Sequence, residues 1–548
     1  MNTPSLLRSS AVMAAGTATS RLLGFVRAVV TVMAIGLNFP AANAFDVANK
    51  VPNILYMLVA GGVLNAVLVP QIVRATRRED GGKDFLDRLL TLTVGLMLLV
   101  TLVVTVAAPL LTRLYSADSW PPEQIALATG FAFLCLPQVF FYGLYTVLGQ
   151  VLNARGSFGP YMWAPVASNV IGIAGLVVFI VLFGQGSGGQ HTLDSWTPDM
   201  VLVLAGSATL GVVAQALVLL PTLRRIGFTY HPRYGFRGVG LGTARRVAMW
   251  TFAAVAVGQV VFVTTSKVAA AANGRAVQSG SELLVAATPS NAAYSNAYLL
   301  FMLPHSLVAV SLVTALFTRM SHAAGAGDLD EVRNDLSLGL RIVGMVSVLG
   351  TAGLVALQEP IGRAIVNGST VAGQALGQVA AAMALGLLPF SANYLFQRVF
   401  YAFEDARTPF IAQLPTFVVV ALGNLLCLWL LPIRYIVVGV GVVMSVGNVV
   451  GAAFAAVLLR RRLGRLDGYV VVRTHVRLTI AGLLAGLAGW AVTLPLLDLT
   501  RSGQLGGAVT LVVAGSVLTG LYLALLKTMR VRELDDVLVP VLRRLRRS

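Results

Sequence analysis

Six ionisable side chains fall inside long apolar runs of this sequence: Arg21, Arg27, Asp46, Lys50, Lys267 and His305. A charge at bilayer depth costs about 2.5–3.5 kcal/mol on insertion scales, so each needs a wet cavity or a partner. Arg21 and Arg27 stand nearly two turns apart on one helix and can border one cavity at different depths. Asp46 and Lys50 have the i,i+4 spacing that lets them neutralise each other. Lys267 lies well along its run, and His305 follows the helix-breaking Pro304. The plainer readings are snorkelling or a buried ion pair for Arg27 and Lys50, and a hydrogen-bonded core position for His305. Four cations against one carboxylate favour an anionic ligand, such as a diphosphate held by Arg and Lys. The sequence offers no paired carboxylates at membrane depth, no metal-ligand cluster and no GxxxxGK[ST] phosphate loop. The expectation is therefore a transport site, with no enzyme activity, no metal and no cofactor.

The elements that must position these residues are membrane helices. The chain has 548 residues, 57% of them hydrophobic and 11% charged, with a mean hydropathy of +0.81. A soluble domain carries roughly a quarter charged residues, so this composition cannot cover a water-facing surface. Fourteen apolar runs are predicted, starting near Ser9, Ala44, Asp87, Gln124, Gly159, Met200, Thr243, Asn291, Leu336, Val371, Pro409, Tyr435, Val476 and Gly506. An even count puts both chain ends on one side. The net charge of +18 would suggest nucleic acid in a soluble protein. Here the basic residues sit in short loops, about 31 on one side against about 5 on the other. That makes both termini cytoplasmic and excludes nucleic acid as a partner. Cys135 and Cys427 lie in apolar runs and read as small core residues. The N-terminal run is interrupted by Arg21 and Arg27, which argues against a cleavable signal peptide. Pro52, Pro70 and Pro304 are candidate breaks or hinges.

A faint internal repeat runs at an offset of about 250 residues. Ala154-Arg155 before Pro160 resembles Ala406-Arg407 before Pro409, and Leu64–Ile72 resembles Leu312–Met320. Six spans per half would give two parallel halves around a cavity, with two further spans appended.

At these residues the sequence resembles the MurJ (MviN) family. The match is carried by Ser20-Arg21-Leu-Leu-Gly24-Phe-Val-Arg27, and by Asn43-Ala-Phe45 through Lys50-Val-Pro52-Asn53 to Leu64 and Pro70. Ala164-Pro165 with Asn169, and Tyr401 through Asp405-Ala-Arg407-Thr408-Pro409, add to it. The resemblance implies an all-α fold of the multidrug/oligosaccharidyl-lipid/polysaccharide exporter superfamily, with an N-lobe over 1–225 and a C-lobe over 226–465. The remainder, 466–548, would hold two helices offering a groove for a polyprenyl tail and a basic cytoplasmic tail. It implies a flippase moving lipid II, the undecaprenyl-diphosphate-linked disaccharide peptide, across the inner membrane by alternating access. The expected partners are lipid II, membrane lipids and cell-wall synthesis or division proteins. The expected substrate-binding set is Arg21, Arg27, Lys50, Lys267, Ser20, Asn43 and Asn53, with Asp46 as coupling group or ion-pair partner.

Three departures from the family pattern bear on the head-group contacts. Asn43 stands where many members have aspartate, and Tyr56-Met57 stand where they have paired arginines. Tyr298-Leu299-Leu300 occupy the stretch of an eighth-span arginine, and Lys267 is expected to supply that missing charge. The departures resemble the actinobacterial branch. Two rivals share parts of the pattern: a flippase for another polyprenyl-diphosphate glycan, and a cation-coupled multidrug exporter, which would depend on Asp46 instead of Arg21.

Overall fold

Hydrocarbon supplies no water to bond backbone groups, so a chain this apolar must close its hydrogen bonds within helices. The computed structural model describes residues 3–59, 83–186, 188–234, 245–306, 310–367, 369–464, 466, 468–499 and 503–534, and no strand occurs among them. Pro70, the segment Leu64–Ile72, the loop arginines Arg74, Arg77, Arg78 and Arg237, and the basic tail beyond 534 lie outside the described residues.

Eleven helices, or twelve spans counting one bent pair, are long and apolar enough to cross a membrane among the described residues. Two of the fourteen predicted runs are missing from that count. The second is described only as Pro40–Val59, where the described residues stop. The eighth divides into Asn291–Pro304 and Val310–Ala326, with Pro304 closing the first piece. Pro52, by contrast, sits inside an unbroken helix.

The chain separates into two compact units, Met1–Gly274 and Arg275–Ser548. In unit 1, α1 (Thr3–Ile35) packs along α7 (Gly159–Phe183), and α7 along α8 (Pro198–Leu217). Helix α2 (Pro40–Val59) packs on α5 (Pro122–Cys135) and α6 (Gln138–Ala154). The unit also holds α3 (Lys83–Val106), α4 (Ala108–Tyr115), α9 (Leu220–Arg225) and most of α10 (Arg245–Gln278). Unit 2 begins with the short α11 (Glu282–Ala287), then α12 (Asn291–Pro304) and α13 (Val310–Ala326). It continues with α14 (Leu329–Ala356), α15 (Gln358–Ile365), α16 (Thr370–Ala384), α17 (Leu387–Ala402), α18 (Arg407–Leu430) and α19 (Ile436–Leu463). Helices α20 (Gly468–Leu499) and α21 (Gly503–Thr528) complete it, with α20 packed on α14.

The units repeat one plan. Pro122, Ala154 and Gly159, which bound α5, α6 and α7, return 248 residues later as Thr370, Ala402 and Arg407 bounding α16, α17 and α18. The cores follow the same offset: Val147, Leu148, Val151, Leu152 and Ala164 correspond to Leu395, Phe396, Val399, Phe400 and Ala412. This places Ala154 opposite Ala402, four residues from the Ala406 suggested by the shared Ala-Arg dipeptide. The same span is broken in both units, between Cys135 and Gln138 and between Ala384 and Leu387, the second by 46°. A break frees carbonyls, and hydroxyls satisfy them. Thr209 Oγ1 donates to Leu134 O (2.7 Å) and Ser445 Oγ to Ala382 O (2.7 Å), the two acceptors again 248 residues apart.

Candidate functional site

Helix α1 turns a stripe of small residues toward α7, and the stripe ends in a cation. Asn169 Nδ2 of α7 donates to Ser20 O (2.8 Å) and reaches Ser20 Oγ (3.5 Å). Gly24 faces the same asparagine. Farther along, the Arg27 guanidinium lies over Gly172, where an added Cβ would stand 2.8 Å from Nε. Glycine at 172 is therefore what admits the arginine into the helix pair. Arg27 is half-buried and lies near Tyr142 and Cys135 at the broken span.

That break gathers further polar groups. Cys135 Sγ lies 3.9 Å from Asn49 Oδ1, which also accepts from Gln138 Nε2 (3.3 Å). Gln138 donates as well to Thr209 Oγ1 (3.0 Å), the hydroxyl that caps the break. The Tyr56 ring packs 5.5 Å from Tyr142, and its hydroxyl bonds Thr146 Oγ1. A seam of polar side chains from α2, α5, α6 and α8 thus gathers at the break, and Arg27 of α1 lies near its Cys135 and Tyr142. Sequence reading missed Asn49, Gln138, Tyr142 and Thr209, which are uncharged and come from three helices. It noted Tyr56 only as a departure.

The other predicted residues fall into three settings. Asp46, Lys50 and Asn53 share one face of α2. Lys50 Nζ pairs with Asp46 Oδ2 at 2.6 Å, both half-buried, and Asn53 is exposed. Arg21 is half-buried about 120° around α1 from Arg27, and its Nε has no hydrogen-bond partner among the described residues. Asn43 is fully buried and donates to Asn273 Oδ1 (3.2 Å), while Asn273 Nδ2 donates to Asn38 O (2.7 Å). That clamp, with Trp120 Nε1 donating to Ala270 O (3.2 Å), docks one face of α10 on unit 1. Lys267 is exposed on another face of α10 and forms no ion pair among the described residues.

Unit 2 places its titratable residues differently. His305 is buried, its Nδ1 2.9 Å from Ser391 Oγ, with the rings of Phe390 and Tyr394 edge-on to it. It is a hydrogen-bonded core histidine. Cys135 and Cys427 are both buried and unpaired. An apolar groove of about 490 Å³ runs along α20, lined by Gly482, Gly486 and Trp490 with Val348, Ala352 and Leu385 opposite. It is bounded by α14 and the broken span; α21 supplies none of its lining. Among the described residues no group of three or more His, Cys, Asp or Glu could hold a metal.

Three comparisons bear on this arrangement. The family model described as "Lipid II flippase MurJ" matches residues 33–498. The chain is 25% identical over 504 residues to "Probable lipid II flippase MurJ" of Haemophilus influenzae, covering 86% of this chain and 90% of that protein. Among solved structures it resembles "Lipid II flippase MurJ, inward closed conformation", with a TM-score of 0.67, 17% identity, and 92% and 98% of the two chains covered. An inward-facing multidrug resistance MATE transporter of the MOP superfamily follows at a TM-score of 0.62, 18% identity, and 82% and 95% coverage.

Proposed function

The chain belongs to the MurJ family of lipid II flippases, and from that premise we propose that it carries lipid II from the cytoplasmic to the outer leaflet by alternating access. It is a multi-pass membrane transporter and not an enzyme. The family match across residues 33–498 carries the reading. The half-buried cations of unit 1 support it, because a diphosphate is the part of such a substrate that cations can hold.

In this reading the protein sits in the inner membrane with fourteen spans and both termini cytoplasmic. Its lobes are 1–225 and 226–465, and the remaining 466–548 carries the lipid-tail surface. Arg21, Arg27, Lys50 and Lys267 attract the diphosphate, and Asn53 adds an amide on the face of α2 that carries Lys50. Ser20 and Asn43 hold α1 and α2 in register for those cations, through Asn169 and Asn273. Asp46 keeps Lys50 oriented. The polyprenyl tail follows the groove along α20. Moving one negative charge outward gains about 2.3 kcal/mol per 100 mV of inside-negative potential, so a potential-driven cycle is physically possible without a dedicated proton carboxylate. Transport into vesicles that ignored both potential and ion gradients would refute that drive.

The deciding experiment is the accessibility of lipid II to an external probe in cells depleted of the protein, complemented with wild type or Arg21→Ala. Accessibility lost on depletion and restored by wild type alone supports both the substrate and the cationic site. Accessibility unaffected by depletion, in cells with no second flippase, sinks the substrate assignment and points to another polyprenyl-diphosphate glycan.

A further inference from the structure

Away from the charges of α1 and α2, unit 1 holds a cavity of about 400 Å³ between α3, α6 and α9. Its wall is apolar: Leu90 and Val94 of α3, Leu144 and Leu148 of α6, and Leu220 and Leu223 of α9. One end is different in kind, closed by Arg224, Thr229 and Tyr230. Residues 228–234 leave α9 and fold back over the start of α3. Tyr230 OH bonds Thr91 Oγ1 (2.9 Å), the backbone N–H of Arg233 donates to the same hydroxyl (3.1 Å), and the Arg233 guanidinium pairs with Asp84. Phe228 is buried beneath, with the Arg155 guanidinium 5.4 Å above its ring.

The polar end is rich in positive charge. Lys83 Nζ donates to Thr229 Oγ1 (3.1 Å), so its ammonium stands at the mouth. Arg224 and its neighbour Arg225 are exposed and enter no ion pair among the described residues. Asp84 is already engaged by Arg88 (2.9 Å) and Arg233. An apolar trough that ends in uncompensated cations, hydroxyls and an interfacial tyrosine matches one kind of molecule: a lipid with acyl chains and an anionic head.

We propose that this cavity is a binding site for an anionic glycerophospholipid of the cytoplasmic leaflet, its phosphate held by Lys83 and Arg224 and one acyl chain lying against Val94, Leu144 and Leu220. Bound there, the lipid fastens the 228–234 strap to α3. The inference rests on the membrane-spanning, basic-side-in reading and is independent of what the protein transports.

The test is lipid retention by the full-length protein, purified from nanodiscs of phosphatidylglycerol, phosphatidylcholine or an equal mixture and weighed by native mass spectrometry. Wild type should keep phosphatidylglycerol in preference to phosphatidylcholine. Lys83→Gln with Arg224→Gln should weaken that preference roughly 30-fold, the effect of removing two cations at a lipid surface. The charge-keeping pair Lys83→Arg with Arg224→Lys should retain it and shows that the fold survives change there. Leu144→Trp, which fills the trough and leaves the charges, should also lose the lipid. Equal retention of both lipids by wild type, or retention unchanged in the Gln pair or in Leu144→Trp, would overturn the proposal. None of these readouts involves transport, so failure here leaves the flippase reading standing, and failure of the flippase reading leaves this one standing.

Discussion

The turn after α6 and the turn after α17 close with the same backbone bond: Ser157 N to Leu152 O (2.9 Å) in unit 1, Asp405 N to Phe400 O (3.0 Å) in unit 2. Each needs a left-handed residue, supplied by Gly156 (φ 78°) in one and, unusually, by Glu404 (φ 58°) in the other. The side chains that fasten the turns are exchanged. In unit 1 the turn carries the cation, Arg155, and the ring is Phe228. In unit 2 the turn carries the ring, Phe403, and the cation is Arg462, 4.4 Å away. The plan that repeats is thus one of backbone and core, and the polar chemistry is free to change hands. The opening helices use that freedom most: α2 carries Asp46 and Lys50, whereas α12 carries no Asp, Glu, Lys, Arg or His. Charge able to meet an anionic substrate is in this way concentrated on one half of a duplicated frame.

Removing charge from one half and a titratable group from the other tests that asymmetry with the largest effect. Arg27→Ala should lower lipid II flipping about 100-fold, the scale for truncating a half-buried charge contact. His305→Gln, which can keep a bond to Ser391, should stay within about threefold of wild type. Comparable losses in both would show that charge is not what distinguishes the halves.

The next comparison concerns stability. In unit 2 a Cβ on Gly362 would collide with the Gly373 carbonyl, so α15 and α16 touch backbone to backbone. Helix α4 (Ala108–Tyr115) starts 250 residues before α15 (Gln358–Ile365), which puts Thr112, a buried side chain, in the matching place. Gly362→Ala should therefore cost about 1–3 kcal/mol of overpacking strain, read as a lower unfolding temperature in detergent. Thr112→Ala should cost less, and a larger loss at Thr112 would reverse the assignment of the tighter crossing.

The hydroxyls on the two broken spans should behave alike. Thr209→Val and Ser445→Ala each leave a freed carbonyl without its donor and should each cost about 1 kcal/mol. Their effects should add, since they share no partner. A clear inequality would mean that one break relies on other donors.

The smallest effect separates the two turns by pH. Burial raises the Asp405 carboxyl, but bonds from the Thr408 side chain and backbone, the Arg462 guanidinium and the Arg407 N–H outweigh it and hold it below the usual carboxylate range. A depressed folded value means that its contribution is complete above about pH 4 and is lost as pH falls through that folded value. Hydrogen exchange at 403–408 should accelerate under such acid, while 155–160, with Ser157 in the matching place, should not follow. Asp405→Ala at neutral pH should reproduce the loosening, at about 1 kcal/mol.

Much of this was written in the sequence. Apolar runs separated by basic loops dictate membrane helices, because few side chains at 11% charge are available to face water. Arg21, Arg27, Asp46 and Lys50 stand out because charge in an apolar run is rare and costly. The repeat was visible, but its register was not. The shared Ala-Arg dipeptide was a poor marker, since the turn is set by a positive φ, a backbone bond and core positions such as Leu152 and Phe400 that differ in identity.

What only tertiary structure decided is which polar groups meet. Asn49, Gln138 and Thr209 are ordinary residues until a broken span brings three helices to one carbonyl. Gly172 gains meaning only beneath the Arg27 guanidinium, and Asn43 only against Asn273, 230 residues away. The cost of a buried charge or carbonyl is a local property that a sequence can display. Its compensation comes from whichever distant side chain packs beside it, and that is settled only when the helices are assembled.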